Sequence, residues 1–202
     1  MGYKYRALES VEMMIHKFEI EELELKGAYL IHPFYADDLR GGFIKDYNVD
    51  VFKNAGLEFD LKEEFYTISH KGVIRAIHFQ LNHQQPKLVR CIKGHVYDVI
   101  VDLRPNSMTF GKWLGFDLSE ENQNELYVPK YFGHGYLVED ESIVCYKCGE
   151  VFYPDGDSGI MYNDPDLNIQ WPFEKIGGVE KLIISQKDVN LMSLNQYKEI
   201  IK

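Results

Sequence analysis

From residue 27 onward, the sequence is a succession of short apolar runs separated by turn-forming residues. The runs are rich in Val, Ile, Tyr and Phe, which favour β-strands. Glycine or proline separates many of the runs, as at Gly41, Gly94, Pro105, Pro129 and Gly156. Regularly spaced short strands predict an all-β domain, built as a sandwich or a barrel. The runs span 27–32, 73–80, 87–92, 96–103, 112–118, 125–128, 135–138 and 143–148.

The length of the chain suits one such domain. It has 202 residues, of which 45% are hydrophobic, enough for a sizeable core. Residues 1–26 lack the strand pattern, and we predict that they form an N-terminal extension to a domain spanning 27–202. Within the extension, Val11, Met14, Ile15 and Phe18 recur at helical spacing, which predicts a short amphipathic helix.

The charge of the chain restricts its partners. A net charge of −10 argues against nucleic-acid binding, so a phosphate ester would need a local cluster of cations. We predict no membrane partner, because no apolar run reaches 18 residues, and residues 1–17 do not resemble a secretory signal. Cys91, Cys145 and Cys148 cannot form a disulfide framework, so we expect a cytoplasmic protein.

Six polar residues are the first candidates for chemistry. Imidazole, carboxylate, phenol and amine groups all serve in acid–base catalysis. Each residue also has a structural interpretation, since histidine and tyrosine on strands often only pack. Spacing alone does not raise the catalytic interpretation above the structural one. The six are Arg75, His78, Lys87, His134, Tyr146 and Asp188.

Several ordered motifs make residues 18–194 resemble the dTDP-4-dehydrorhamnose 3,5-epimerases, which are metal-free cupins. The motifs include GVIRAIHFQ at 72–80, KLVRC at 87–91, GHVYDVIVDLR at 94–104, PKYFGHG at 129–135 and SQKD at 185–188. The resemblance implies a cupin-type jelly-roll β-sandwich with short peripheral helices. It further implies a homodimer without a cofactor that epimerises C3 and C5 of a nucleotide-diphosphate-linked 4-keto-6-deoxyhexose.

The resemblance also assigns the catalytic roles. His78 would be the base, oriented by Asp188, and imidazole suits this role because it titrates near neutrality. Lys87 would place a cation beside the developing enolate oxygen. Tyr146 would donate a proton from the opposite face of the sugar.

Substrate-binding residues follow from the same resemblance. Arg75 would bind the diphosphate, and Arg40 would reach in from the neighbouring subunit. The remaining contacts would come from His134, Phe152, Asp157, Lys187, Glu63 and Phe65. Glu63 and Phe65 lie where the family has a Gln-Asp-Asn segment, Phe152 where it has a stacking tyrosine, and Lys45 where it has a glutamate. The chemistry is therefore better supported than the identity of the nucleotide and sugar.

The spacing of Arg75 and His78 imposes a geometric condition. Residues three apart on a regular strand face opposite sides of the sheet. Both side chains can enter one pocket only if the strand is bulged or if one of them lies at a strand end.

Some sequence features also allow other interpretations. Cys145 and Cys148 have the spacing of a redox motif or a zinc half-site, although no second ligand pair is present. His78 and His134 are possible ligands of a metal-dependent cupin, but the His-x-His pattern is missing. A single-carbon epimerase and a non-catalytic sugar-nucleotide-binding cupin are the other functional alternatives.

Overall fold

A computed structural model describes residues 14–201, and the predicted all-β sandwich with short peripheral helices is confirmed. The strands are β1 (Met14–His16), β2 (Glu19–Glu22), β3 (Tyr29–His32), β4 (Phe34–Asp38), β5 (Gly41–Lys45), β6 (Glu63–Ser69), β7 (Ile74–Gln80), β8 (Lys87–Asp102), β9 (Trp113–Ser119), β10 (Glu125–Val128), β11 (Phe132–Cys148) and β12 (Asp157–Gly159). The α-helices are α1 (Val49–Asn54), α2 (Gln186–Val189) and α3 (Leu194–Ile200), and 3₁₀ turns lie at Pro154–Gly156, Phe173–Ile176 and Val179–Lys181. None of these helices is long and apolar enough to cross a bilayer.

The two longest strands, β8 and β11, connect the two layers of the sandwich. They pair with each other along most of their length, and the register shifts between Val138 and Val144. On one side of this irregular stretch they pair with β7 and β9, and on the other with β6 and β10. Gly94 lies at the bend with a φ of 79°, and a Cβ there would collide with the Glu141 carbonyl. Each long strand therefore contributes one half to each layer.

Three apolar clusters stabilise this arrangement. The first lies between the layers and contains residues from both halves of β8 and β11, such as Val89, Ile100, Val138 and Val144. The second covers the outer face of β7 and its neighbours with the C-terminal segment, including Trp171. The third lies beneath α1. Apolar side chains therefore fill the space between the layers and cover the outer face of β7. The cavity lies at the end of the sandwich near β7 and β12.

The N-terminal segment differs in part from the prediction. Met14 and Ile15 were expected on a helix but lie in β1, which pairs with β4, so that expectation is wrong for these residues. Val11 lies outside the described residues. β2 pairs with β3 and so joins the main sheet. The boundary between extension and domain at residues 26 and 27 stays a prediction.

A β-bulge in β7 satisfies the condition imposed by Arg75 and His78. His78 pairs with His134 on β11, whereas Arg75 pairs with Tyr136, so three steps along β7 match two along β11. The extra residue places Ala76 and Ile77 consecutively in the buried outer cluster. Arg75 and His78 consequently point to the same side of the sheet.

Gly135 makes this bulge possible. A Cβ at this position would lie 2.6 Å from the carbonyl oxygen of Arg75 and 2.7 Å from the Cα of Ala76. Any side chain larger than hydrogen would therefore push the two strands apart at the bulge in β7. The glycine of the PKYFGHG motif is thus explained by close backbone approach.

We predict that Gly135→Ala lowers the free energy of unfolding by about 1–3 kcal/mol, because it overpacks a rigid backbone contact. Chemical denaturation monitored by circular dichroism measures the change. Gly156→Ala is the matched control, since its added Cβ would lie 3.3 Å from the nearest atom and needs only a small adjustment. Equal stability of Gly135→Ala and the unmodified chain would contradict this account of the bulge.

Candidate active site

One cavity of about 610 Å³ gathers most of the predicted site residues. Its walls come from β6, β7, β11 and β12, from the start of β8, and from the segment around α2. Two predicted residues, Arg40 and Glu63, do not line it. The predicted residues that do are Phe65, Arg75, His78, Lys87, His134, Tyr146, Phe152, Asp157, Lys187 and Asp188.

His78 and Asp188 form an imidazole–carboxylate couple in the cavity wall. The Nε2 atom of His78 lies 3.3 Å from Oδ1 and 3.4 Å from Oδ2 of Asp188. Asp188 is held on α2, where its backbone N–H donates to the Ser185 hydroxyl at 3.0 Å. Burial opposes ionisation of Asp188, but the hydrogen bond and charge of His78, together with Ser185 and the charge of Lys187, outweigh it, so the pKa of the carboxyl is lowered. The couple can therefore present a partly exposed imidazole backed by an ionised carboxylate.

Tyr146 supplies a buried phenol in the same cavity. Its ring stacks on Phe65 with centroids 4.8 Å apart and planes within 12°. The His134 ring lies edge-on at a centroid distance of 5.7 Å. Burial raises the pKa of Tyr146 well above its ordinary value, and the nearby charge of Asp98 acts in the same direction. The phenol is consequently protonated at neutral pH and held in a fixed orientation.

A second histidine–carboxylate couple lies deeper in the sandwich. The Nε2 atom of His134 is 2.8 Å from Oδ2 of Asp98, and both side chains are almost completely buried. Burial raises the pKa of Asp98, against the effect of His134 and Lys87. The cavity walls also desolvate the Lys87 ammonium, which lowers its pKa. Asp98 thus fixes His134 and contributes negative charge near Lys87.

Asp98 is a site residue that the sequence analysis missed. The available signal is an acidic residue within the otherwise apolar run 96–101 of β8, since a buried carboxylate needs a partner. Thr67, Gln80 and Gln85 also line the cavity without having been predicted. Polar residues on strands and in the loops between them are common, so these three carried no distinguishing pattern.

The mouth of the cavity carries an ion pair and an exposed aromatic ring. The Lys187 ammonium pairs with the carboxylate of Asp157 on β12. Phe152 is about half exposed, and its backbone N–H donates to Glu63 at 2.7 Å. Glu63 therefore holds the segment that carries Phe152 and does not itself face the cavity.

Arg40 lies at the turn of the β4–β5 hairpin. Its side chain is 77% exposed, and its Nε donates to both oxygens of Asp38 at 2.9 and 3.0 Å. It does not line the cavity of its own chain. The contact of Arg40 with a ligand in the neighbouring subunit therefore stays a prediction.

The thiol and metal alternatives can be compared with the positions of the cysteines and of the candidate metal ligands. All three cysteines are free and buried. Within residues 14–201, one group has ligand atoms close enough for a metal, namely His95, Asp117 and Glu139. The Lys175 ammonium lies 3.1 Å from a carboxylate oxygen of both Asp117 and Glu139, so a cation already pairs with both carboxylates of this group. The cavity histidines, His78 and His134, are not part of it.

Comparisons with known proteins agree on one family. The family model described as dTDP-4-dehydrorhamnose 3,5-epimerase matches residues 22–196. A protein of that name from Methanothermobacter thermautotrophicus is 44% identical over 181 residues, covering 89% of this chain and 96% of that protein.

Two solved structures are similar in the same way. An epimerase from Legionella pneumophila in complex with dTDP-4-keto-L-rhamnose superimposes with a TM-score of 0.83 at 33% identity, covering 89% of this chain and 94% of that one. The dTDP-4-dehydrorhamnose 3,5-epimerase from Bacillus anthracis, with TDP and PPi bound, gives 0.81 at 39% identity over 88% and 100% of the two chains.

The lowered pKa of Asp188 predicts a pH-dependent contribution to stability. A carboxyl whose folded-state pKa is depressed stabilises the fold above its unfolded value, near 3.8, and loses that effect as pH falls through the folded pKa. Asp188→Asn should therefore be less stable than the unmodified chain at pH 7, and the difference should shrink below pH 3.8.

Thermal unfolding temperatures of both proteins, recorded from about pH 7 down to about pH 2.5, give this difference across the pH range in which carboxyls titrate. Asp60→Asn is the control, because the Asp60–Lys62 ion pair is exposed and such pairs contribute little. A difference for Asp188→Asn that stays constant down to the lowest pH would contradict the prediction.

Proposed function

This chain belongs to the dTDP-4-dehydrorhamnose 3,5-epimerase family, and we propose that it converts dTDP-4-dehydro-6-deoxy-D-glucose to dTDP-4-dehydro-L-rhamnose. The observation that carries the proposal is the presence of the His78–Asp188 couple and the protonated phenol of Tyr146 in one cavity. The free cysteines are consistent with a cytoplasmic location.

The reaction begins with the ketone at C4, which acidifies the protons on C3 and C5. In the proposed mechanism the neutral His78 imidazole removes one of these protons, and the ionised Asp188 stabilises the imidazolium that forms. The electron pair moves onto the C4 oxygen, giving an enolate. Lys87 supplies positive charge to that oxygen in a desolvated wall, where electrostatic stabilisation is strongest.

Inversion requires the proton to return from the opposite face of the ring. Tyr146 is the proposed donor, because burial keeps its hydroxyl protonated until the enolate carbon accepts the proton. The phenolate that results would benefit from the positive charge of Arg75, which acts to lower the pKa of Tyr146. Repeating the sequence at the second carbon gives the doubly inverted sugar.

The remaining cavity residues account for binding of a dTDP-sugar. Arg75, which donates through Nε to the Ser69 hydroxyl at 3.2 Å, is proposed to bind the diphosphate together with Lys187. Phe152 offers an exposed aromatic face for the base, and Asp157 lines the same cavity. His134, fixed by Asp98, would hold the sugar.

The direct test follows deuterium uptake from D₂O by NMR, with dTDP-4-dehydro-6-deoxy-D-glucose as substrate. We predict label at both C3 and C5, and a rate reduced by about 10²–10⁴-fold in His78→Ala, since a general base contributes on that scale. His70→Ala is the matched control, because His70 is an exposed histidine outside the cavity.

Each contrary result of this test has a defined meaning. Label at one carbon alone would make the chain a single-carbon epimerase. Binding of the nucleotide sugar without any exchange would make it a non-catalytic binding protein. Turnover in His78→Ala equal to that of the unmodified chain would overturn the assigned base.

The placement of Arg40 leads to a proposed homodimer with shared sites. Arg40 does not line its own cavity, and apolar side chains such as Leu39, Phe43 and Ile68 are exposed on the β4–β5 hairpin and the outer face of β6. A second copy of the chain that covers these side chains could bring Arg40 into the neighbouring cavity. The site would then be complete only in the dimer.

Mixing two inactive variants tests this arrangement. Arg40→Ala and His78→Ala homodimers should each be impaired, whereas their heterodimer holds one cavity with an intact His78 and an intact partner Arg40. After subunit exchange at equal amounts, we predict recovery of about a quarter of the sites, since half the dimers are mixed and each has one complete cavity. Absence of recovery, despite exchange detected by mass spectrometry, would place Arg40 in its own site or outside the mechanism.

A further inference from the structure

Inversion of two carbons in one cavity requires that the acid, Tyr146, regain its proton between the two steps. If the proposed function holds, each inversion transfers one proton from Tyr146 to carbon and leaves a phenolate. The first inversion needs no other donor, because Tyr146 is protonated at neutral pH. A second inversion before the sugar leaves requires that the phenolate be protonated again while the ligand fills the cavity in front of it.

Tyr136 is a buried phenol behind Tyr146 that the mechanism does not use. It lies on β11, is 0% exposed and does not line the cavity. Its hydroxyl oxygen is 2.7 Å from Oγ1 of Thr67. Burial raises the pKa of the Tyr146 hydroxyl, and the proximity of Tyr136 acts in the same direction. The centroids of the two phenol rings are 6.4 Å apart. A hydroxyl in this position can donate to Tyr146 from the protein side.

Thr67 connects Tyr136 to the cavity wall. It is partly exposed, it lines the cavity, and it lies on β6 two residues from Phe65, the residue that stacks on Tyr146. Its Oγ1 lies 3.4 Å from the Val144 carbonyl, which gives the hydroxyl proton an alternative acceptor. Thr67 and Tyr136 thus form a hydrogen-bonded pair of hydroxyls that connects the cavity wall to the phenol packed beside Tyr146.

We propose that Tyr136 and Thr67 are a proton relay that restores the hydroxyl of Tyr146 between the two inversions. The Tyr146 phenolate takes the proton of the Tyr136 hydroxyl, Tyr136 takes the proton of Thr67, and Thr67 takes one from water. The proton that His78 removed from the substrate returns to solvent, so solvent gives one proton and receives one per inversion. Tyr136 is therefore a positioning residue that acts through Tyr146.

The geometry also explains why Tyr136 is not the donor to substrate. Its hydroxyl is enclosed, whereas Tyr146 lines the cavity. Ser69 accepts a hydrogen bond from Arg75 and, against the effect of burial, acts to lower the pKa of Tyr136, so the relay adjoins the proposed diphosphate contact. A bound diphosphate would hold Arg75 and, through Ser69, fix the orientation of the Tyr136 hydroxyl.

The test measures, at early times in D₂O, the ratio of sugar that has exchanged at both carbons to sugar that has exchanged at one. Tyr136→Phe keeps the ring and removes the hydroxyl. We expect the ratio of doubly to singly exchanged sugar to fall by roughly tenfold or more, because a hydrogen bond to a charged group is lost. The rate of the first exchange should remain within about twofold, since Tyr146 is already protonated. Thr67→Val should lower the same ratio, and Thr67→Ser, which retains a hydroxyl, should restore it.

Tyr197→Phe is the matched control for loss of a buried phenol. The Tyr197 hydroxyl donates to the Leu103 carbonyl at 3.1 Å, away from the cavity, so this variant should leave the ratio unchanged. An unchanged ratio in Tyr136→Phe, an equal fall in Tyr197→Phe, or an equal slowing of both exchanges would overturn the relay. Absence of any exchange by the unmodified chain would instead remove the proposed function on which the relay rests.

Discussion

The site depends on one extra residue in β7. The bulge places Arg75 and His78, three residues apart, on the same side of the sheet, and it exists because Gly135 lets two backbones approach closely. A regular strand would turn one of the two side chains into the outer apolar cluster, among Ala76 and Ile77. A cation for phosphate and a base for proton transfer could then not share a cavity.

Around the bulge, charges are buried in pairs. His78 and His134 each face a carboxylate, so neither imidazole stands alone in the low dielectric of the sandwich. Asp188 is kept ionised by its partner, whereas the phenol of Tyr146 is kept protonated by burial. At neutral pH the fold therefore holds an ionised carboxylate behind the base and a protonated phenol as the acid, which is what an epimerisation through an enolate requires.

Much of this arrangement could be predicted from the sequence, because it is local or periodic. Strand runs and turn residues indicated the sandwich, and the spacing of Arg75 and His78 required a bulge or a strand end. The roles of Asp98 and Tyr136 could not be predicted, since they depend on which residues of β8, β11 and β6 face each other. The helix expected at Met14 failed because pairing with β4 outweighs the helical periodicity of a short segment.

The central claim is that the bulge brings diphosphate binding and proton transfer into one cavity. A crystal structure of the complex with a dTDP-linked 4-keto or 4-deoxy sugar tests it most directly. The account predicts the diphosphate on Arg75, with the sugar ring between the imidazole of His78 and the phenol of Tyr146. A diphosphate bound away from Arg75, or a ring with both groups on the same face, would contradict it.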